Sequence, residues 1–536
     1  MDNIVETNEI KPAYTWISLE SIDDFDKLSG CVDSEYAPGA VAEMLKGGLS
    51  PAVKAVLVEA NYADKDYRSS YYNFYSKKGL YYRSDCVRLH FFDLTVRFDQ
   101  ESLQLSYERA YTGDVNFTDH YFGYMVLRPT GVSTIGRSVI NADVVLGAEG
   151  RVIDAWHKVH LLGYKLKVCG FPWMQQHMDI SRCAHAACWA ILRHFSERFS
   201  AYGEHLLYDI TNMAHPFNPG GLAPSLGLDV MQANRVFHQA GVFPLLVAHD
   251  DQYAIDTSFF RQMVAYIESG FPLFVSLPGH AVVIVGYRWR DGVAPKSNEP
   301  RFAWEQIEHL LVVDDNHMPY LSIPARGPSE STQTMGAEEI QVLDGEPNQS
   351  NVAEEQGFQD ENLDYPYSAE EHVDSFIVPL PEKLFYPAQA VEEQITALFG
   401  FDSFLDLPAK GDAIVRYFVT TGAAYRKFVR ENQSAYDSQL FENIMNMPFS
   451  QFIWVVEIAT EEDWLGQRVT ARAVLDASAS VTEEVPLWLF HTVEKGLVFN
   501  RDQVGLLPVD SVKVLEFPRK AGFVLTRMEV NLRAVR

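Results

Sequence analysis

FPWMQQHMDISRCAHAACWAILRHF, residues 171–195, changes character abruptly at Cys183. Before it lies a polar loop. After it come Ala184, Ala186, Ala187, Ala190 and Leu192, all strong helix formers. The spacing predicts a helix over 183–199 with Cys183 as its first residue. A thiol there meets the positive end of the helix dipole and N–H groups with no partner inside the helix, and both favour thiolate. Gln175 and Gln176, just upstream, can turn an amide N–H back toward an oxyanion formed at that thiol. A cysteine in an apolar helix is ordinarily a core residue, so this segment alone does not make a nucleophile.

The companion segment is SGFPLFVSLPGHAVVIVGYRW, residues 269–289. His280 follows Pro278–Gly279 and opens an apolar strand, a partly exposed and firmly held position that suits a general base. The next strand, HLLVVDDN over 309–316, ends in Asp314 and Asp315. An acid there can accept the imidazole N–H and fix its tautomer. Asp314, directly after the apolar run, is the preferred acid, and Asp315 stays open as the alternative. Between nucleophile and base the sequence predicts a helix over 229–240 closed by Gly241 and another over 258–268 stopped before Gly270.

In this order Gln, Cys, His and Asp resemble the papain superfamily, and within it the bacteriocin-processing peptidases that cleave after double-glycine leaders, with their stand-alone relatives. The resemblance rests on Cys183-Ala184-His185-Ala186-Ala187, on Gly270-Phe271-Pro272, and on His280-Ala281-Val282-Val283-Ile284-Val285-Gly286-Tyr287. It covers residues 159–324 and nothing outside them. Three positions depart from it. Ala184 stands in place of a glycine, Asn316 follows the acids in place of proline, and the Gln176–Cys183 spacing is one residue longer than the family's, which leaves Gln175 and Gln176 both open. The resemblance implies a cysteine peptidase or isopeptidase acting at a glycine-rich site. An acyltransferase of the same fold, or a catalytically weak papain-like scaffold, is the alternative. His185 is expected to be a wall residue and Cys188 a core residue.

Working outward, residues 1–155 read as an N-terminal α+β domain. It contains a tyrosine-rich run over 66–82, expected at the surface, and Arg128 and Arg137 around a glycine turn that could grip an anion. Residues 156–325 form the expected papain-like domain. Between Arg326 and Lys383 there is no lysine or arginine but many acids, and residues 326–375 are expected to be a flexible acidic insert. Residues 376–536 read as a C-terminal α+β domain. The fold class expected for the whole is α+β.

The net charge of −28, from 72 acidic against 44 basic residues, argues against nucleic acid or an anionic membrane as the main partner. A peptide or protein substrate is expected, with the flanking domains available to a protein partner. Five cysteines without CxxC spacing point to a reducing compartment, and the acidic N-terminus lacks signal-peptide features, so a cytoplasmic protein is expected. His157, His160 and His177 are scattered without ligand spacing, and no phosphate-binding glycine loop occurs. No metal and no cofactor is assigned. The acidic run generates a first prediction: limited proteolysis of the native chain cuts first within 326–375. Early cutting elsewhere, with this run protected, would identify it as an ordered segment.

Overall fold

In the computed structural model the described residues are 13–93, 117–176, 181–214, 227–249, 257–327, 367–483, 485–499, 512–517 and 524–535. Most of the expected acidic insert, and His177, lie outside them. The fold is α+β, as expected.

Pro278 and Gly279 make a two-residue turn, since Leu277 pairs with His280 across it. Gly279 has φ +69°, the left-handed position where a side chain would be strained. The turn lies within a sheet that six segments from across the chain help to build: β1 (Gly150–Val152), β2 (Leu273–Leu277), β3 (His280–Trp289), β4 (Ile307–Val313), β5 (Ser375–Leu380) and β6 (Arg533–Val535). The strand order is Leu321–Pro324, β4, β3, β2, β5, Phe243–Ala248, with β1 beside the far half of β3 and β6 beside β1. From Ala281 to Tyr287 strand β3 is buried throughout, which explains its unbroken apolar run.

A second sheet runs Tyr14–Ser18, Ala55–Tyr62, Cys86–Phe92, Tyr121–Leu127, Ser138–Ile140, Tyr164–Trp173, Ala155–Leu161. Between it and the His280 sheet lies helix α1 (Cys183–Arg198), which packs on β2 and β3 on one side and on Ala155–Leu161 and Tyr164–Trp173 on the other. Helices α2 (Val230–Gln239), capped by Asp229, and α3 (Thr257–Glu268) follow as read from sequence. A third sheet, from Arg301–Phe302 through Ile414–Thr421 to Val512–Glu516, carries most of the C-terminal part.

Strand pairing crosses the boundaries expected from sequence. β1, from the expected N-terminal domain, and β5, from the C-terminal one, join the His280 sheet, while Ala155–Leu161 and Tyr164–Trp173 complete the second sheet. Arg301–Phe302 pairs in parallel with Ile414–Thr421. Sequence proximity does not choose the partner of a strand; the exposed edge that can bury it does.

The last described segment fastens these layers. Arg527 lies over the rings of Trp289 and Trp464. The Asn531 amide donates to the Glu268 and Val419 carbonyls, 2.9 Å each, and Arg533 pairs with Asp143 and Asp154. Beneath it the buried Glu268 carboxylate accepts from Tyr287 at 2.6 Å and pairs with Arg416 at 3.1 Å. Among the described residues no helix is long and apolar enough to cross a membrane.

Gly286 marks where β1 crosses β3, and a methyl group there would overlap the Arg151 carbonyl. Gly286→Ala is therefore expected to cost about 3 kcal/mol. Gly279→Ala, which meets only backbone strain, should cost about 1 kcal/mol. Urea unfolding of both variants checks the order, and a reversal would mean that β1 does not lie against β3.

Candidate active site

Arg182 is extended, with φ −121° and ψ −179°, and the chain turns helical at Cys183. His185 secures this start, because its Nδ1 accepts the Arg182 N–H at 3.2 Å, and its ring is fully buried. That is a capping role added to the wall position expected for it. Cys188 is buried in the core. Ala186, Ala187 and Ala190 lie three, four and seven residues beyond Cys183 and so share its helix face. With Cys183, Val283 and Asp315 they line a cavity of about 10 Å³, the space of a single water.

His280 stands between the thiol and an acid. Its Nε2 lies 3.1 Å from Asp314 Oδ2, and the Cys183 thiol is hydrogen-bonded to the same ring, whose Nδ1 is the nitrogen left for it. Burial disfavours the imidazolium, but the hydrogen bonds and charges of Asp314 and Cys183 outweigh it and push His280 up to about 11.

Asp314 is itself held. Its Oδ1 accepts the Asn316 N–H at 2.8 Å, and its carbonyl accepts the Trp173 indole N–H at 2.7 Å. In the β3–β4 register Val283 faces Val313, so Asp314 lies on the face of Val282 and His280. Asp315 turns instead toward the Cys183 cavity, with its Oδ1 3.9 Å from His280 Nε2. Burial and the Asp314 charge push its carboxyl up to about 7, with His280 and the Gln176 backbone N–H pulling the other way.

The two glutamines part company. Gln175 is buried, and its side-chain oxygen accepts the Ile135 N–H at 3.0 Å. The backbone of half-buried Gln176 lies beside Asp315. Both glutamine carbonyls accept from Arg128, at 3.1 and 3.4 Å. Arg128, expected to grip an anion, is instead a buried brace for this loop, and Arg137 is buried against Asp64 and Glu204. Burial explains both departures, because neither guanidinium is open to an anion from solvent. Tyr67 and Tyr75, from the run expected at the surface, are likewise buried, though Tyr72 and Tyr81 are exposed. Sequence reading missed Trp173, whose strand belongs to another sheet, and His317, whose Nδ1 lies 3.7 Å from Asp314 Oδ2. The DDNH run was the available signal for His317.

His157 is buried and His160 exposed, both on the Ala155–Leu161 strand. Among the described residues, the donors able to hold a cation lie elsewhere: atoms of His280, Asp314 and Asp315 fall within 4.8 Å of one another. Comparisons of the chain with protein-family models, with curated proteins and with solved structures find no match.

All five cysteines are free thiols, but they are not equivalent. Burial pushes Cys86 and Cys188 up, and Cys169 to about 12, whereas Cys31 and Cys183 are partly exposed. Cys31 donates to the Lys27 and Leu28 carbonyls. Limiting iodoacetamide near neutral pH is expected to alkylate Cys183 at least tenfold faster than Cys31. In His280→Ala the two rates should converge. Preferential labelling of Cys31 in the native chain would refute the pairing of Cys183 with His280.

Proposed function

We propose that this chain is a cysteine hydrolase of the papain-like type, acting on a peptide or isopeptide bond without a cofactor in a reducing compartment such as the cytoplasm. The observation that carries the reading is His280 held between the Cys183 thiol and the Asp314 carboxylate. α1 delivers the thiol at its N-terminus, as the resemblance in residues 159–324 implies.

Cys183 thiolate attacks the carbonyl carbon, and His280 gives its Nδ1 proton to the departing amine, leaving a thioester. Water then attacks with His280 taking its proton, which frees the acid and restores the thiolate beside protonated His280. Asp314 keeps the ring in place through Nε2 during both steps, and its own carbonyl and carboxylate contacts hold it rigid. The Cys183 backbone N–H, free at the start of α1, and the Gln176 side chain are the proposed oxyanion donors. Gln175 is the weaker candidate because its oxygen is committed to Ile135. A small-residue, glycine-rich substrate follows from the resemblance alone.

Cys183→Ala, used as a trap in a lysate, should retain a peptide or protein substrate that the native chain releases cut. On that substrate Asp314→Asn is expected to lower kcat/KM by about one to four orders of magnitude, with the fold intact by circular dichroism. His280→Ala should be worse, and Asp315→Asn milder. Full activity in His280→Ala would defeat the reading. A damaging Asp315→Asn beside a harmless Asp314→Asn would move the orienting role to Asp315.

A further inference from the structure

We propose that His280, Asp314, Asp315 and His317 form a site for one divalent transition-metal ion of the zinc type, at Nε2 of the His280 ring. Zinc binds four ligands tetrahedrally with bonds of roughly 2.0–2.1 Å, which separates neighbouring ligand atoms by about 3.3 Å. His280 Nε2 lies 3.1 Å from Asp314 Oδ2 and 3.9 Å from Asp315 Oδ1, and His317 Nδ1 lies 3.7 Å from Asp314 Oδ2. The first two separations bracket the tetrahedral value; His317 lies outside the 4.8 Å group formed by the other three and completes the set only by swinging its half-exposed side chain inward. Two imidazoles with two carboxylates suit zinc and its neighbours, whereas calcium and magnesium take oxygen ligands in larger numbers.

An independent observation points to a ligand. Asp315 is 5% exposed, and its carboxylate has only the backbone N–H groups of Gln176 and of Asp315 itself beside it, with no side-chain hydrogen bond. A buried carboxylate left so is costly unless paired or bound to a metal. Its Oδ1 lies 3.9 Å from His280 Nε2. His317, half-exposed, supplies the way in from solvent. An ion there takes the place of the proton between His280 and Asp314, one proton passing to solvent, and the hydrogen bond that orients the base becomes a coordinate bond. The binding does not rest on the hydrolase reading, because Cys183 is not a ligand.

The full chain, stripped with a chelator, is dialysed against zinc chloride, and bound metal per chain is measured. One ion per chain is expected in the native protein and equally in Cys183→Ala. Affinity should fall at least tenfold in Asp315→Asn and in His317→Ala. The second variant removes a half-exposed side chain and so tests the site even if Asp315→Asn folds poorly. With cobalt chloride, the visible bands of tetrahedral cobalt should appear without a thiolate charge-transfer band. Absence of stoichiometric uptake, undiminished uptake by His317→Ala, or loss of uptake in Cys183→Ala with a thiolate band in the native protein would each overturn the proposal. None of these outcomes would touch the alkylation or turnover tests of Cys183.

Discussion

The pairing of Val283 with Val313 sets where every group of the candidate site falls. Side chains alternate along a strand, so a slip of one residue would bring Asp315 onto the face of His280 and turn Asp314 toward the Cys183 cavity. Alternation of apolar and polar residues usually prevents such slips. It cannot do so here, because β3 is apolar and buried on both faces from Ala281 to Tyr287. The register is pinned by other means. The two-residue Pro278–Gly279 turn fixes the start of β3 against β2, a bulge between Ile284 and Gly286 admits only one alignment with β4, and the Trp173 indole N–H captures the Asp314 carbonyl from a different sheet. Irregular features thus specify what the regular pattern leaves open.

Helix α1 faces a related constraint. It lies between two sheets, and its residues from Ala184 to Leu192 are buried. Interiors are packed as densely as organic crystals, so a helix between two sheets needs small side chains where the approach is closest. Alanines at 186, 187 and 190 satisfy this on the face that carries Cys183 and leave only a water-sized gap beside Asp315. The same small residues fix the position of the thiol along the strand axis, because bulkier ones would lift the helix away from β3. The capping contact from His185 to Arg182 ends the helix at Cys183 and leaves the first N–H groups facing the site. Close packing and the placement of the thiol at the helix N-terminus are thus produced by one segment.

Local signals made the elements around the site legible in the sequence. The alanine-rich run, the Pro-Gly turn and the apolar runs each reflect contacts within a few residues, and α1, β2, β3 and β4 fall where those signals put them. What was not legible depends on distant pairing. Nothing near residue 150 or residue 533 announces that β1 and β6 join the sheet of His280, and nothing in Arg128 distinguishes a guanidinium that meets solvent anions from one that braces two glutamine carbonyls. Asp314 and Asp315 are chemically identical neighbours, so only their different surroundings separate them. Asp314 is fixed by Asn316 and Trp173, while Asp315 faces a small apolar-walled gap. A sequence records which groups are available and leaves to tertiary packing which of them are satisfied.

The length of chain around so small a site has a physical reason. β3 carries His280 at one end, and at its other end Gly286 and Tyr287 are covered by β1. β1 is in turn covered by β6, whose Arg533 is tied to Asp143 and Asp154. The Tyr287 hydroxyl reaches Glu268, whose charge is matched by Arg416 of the third sheet, and Arg416 also pairs with Glu529 of the C-terminal segment. Buried ion pairs of this kind contribute little net stability once desolvation is counted, but a broken one is severely penalised. Their effect is therefore to forbid half-assembled arrangements in which β3 is present and its far end unsupported. The strand that presents His280 is held from residues near 150, 268, 416 and 530 together, so the geometry at His280 is completed only when these distant parts of the chain have come together.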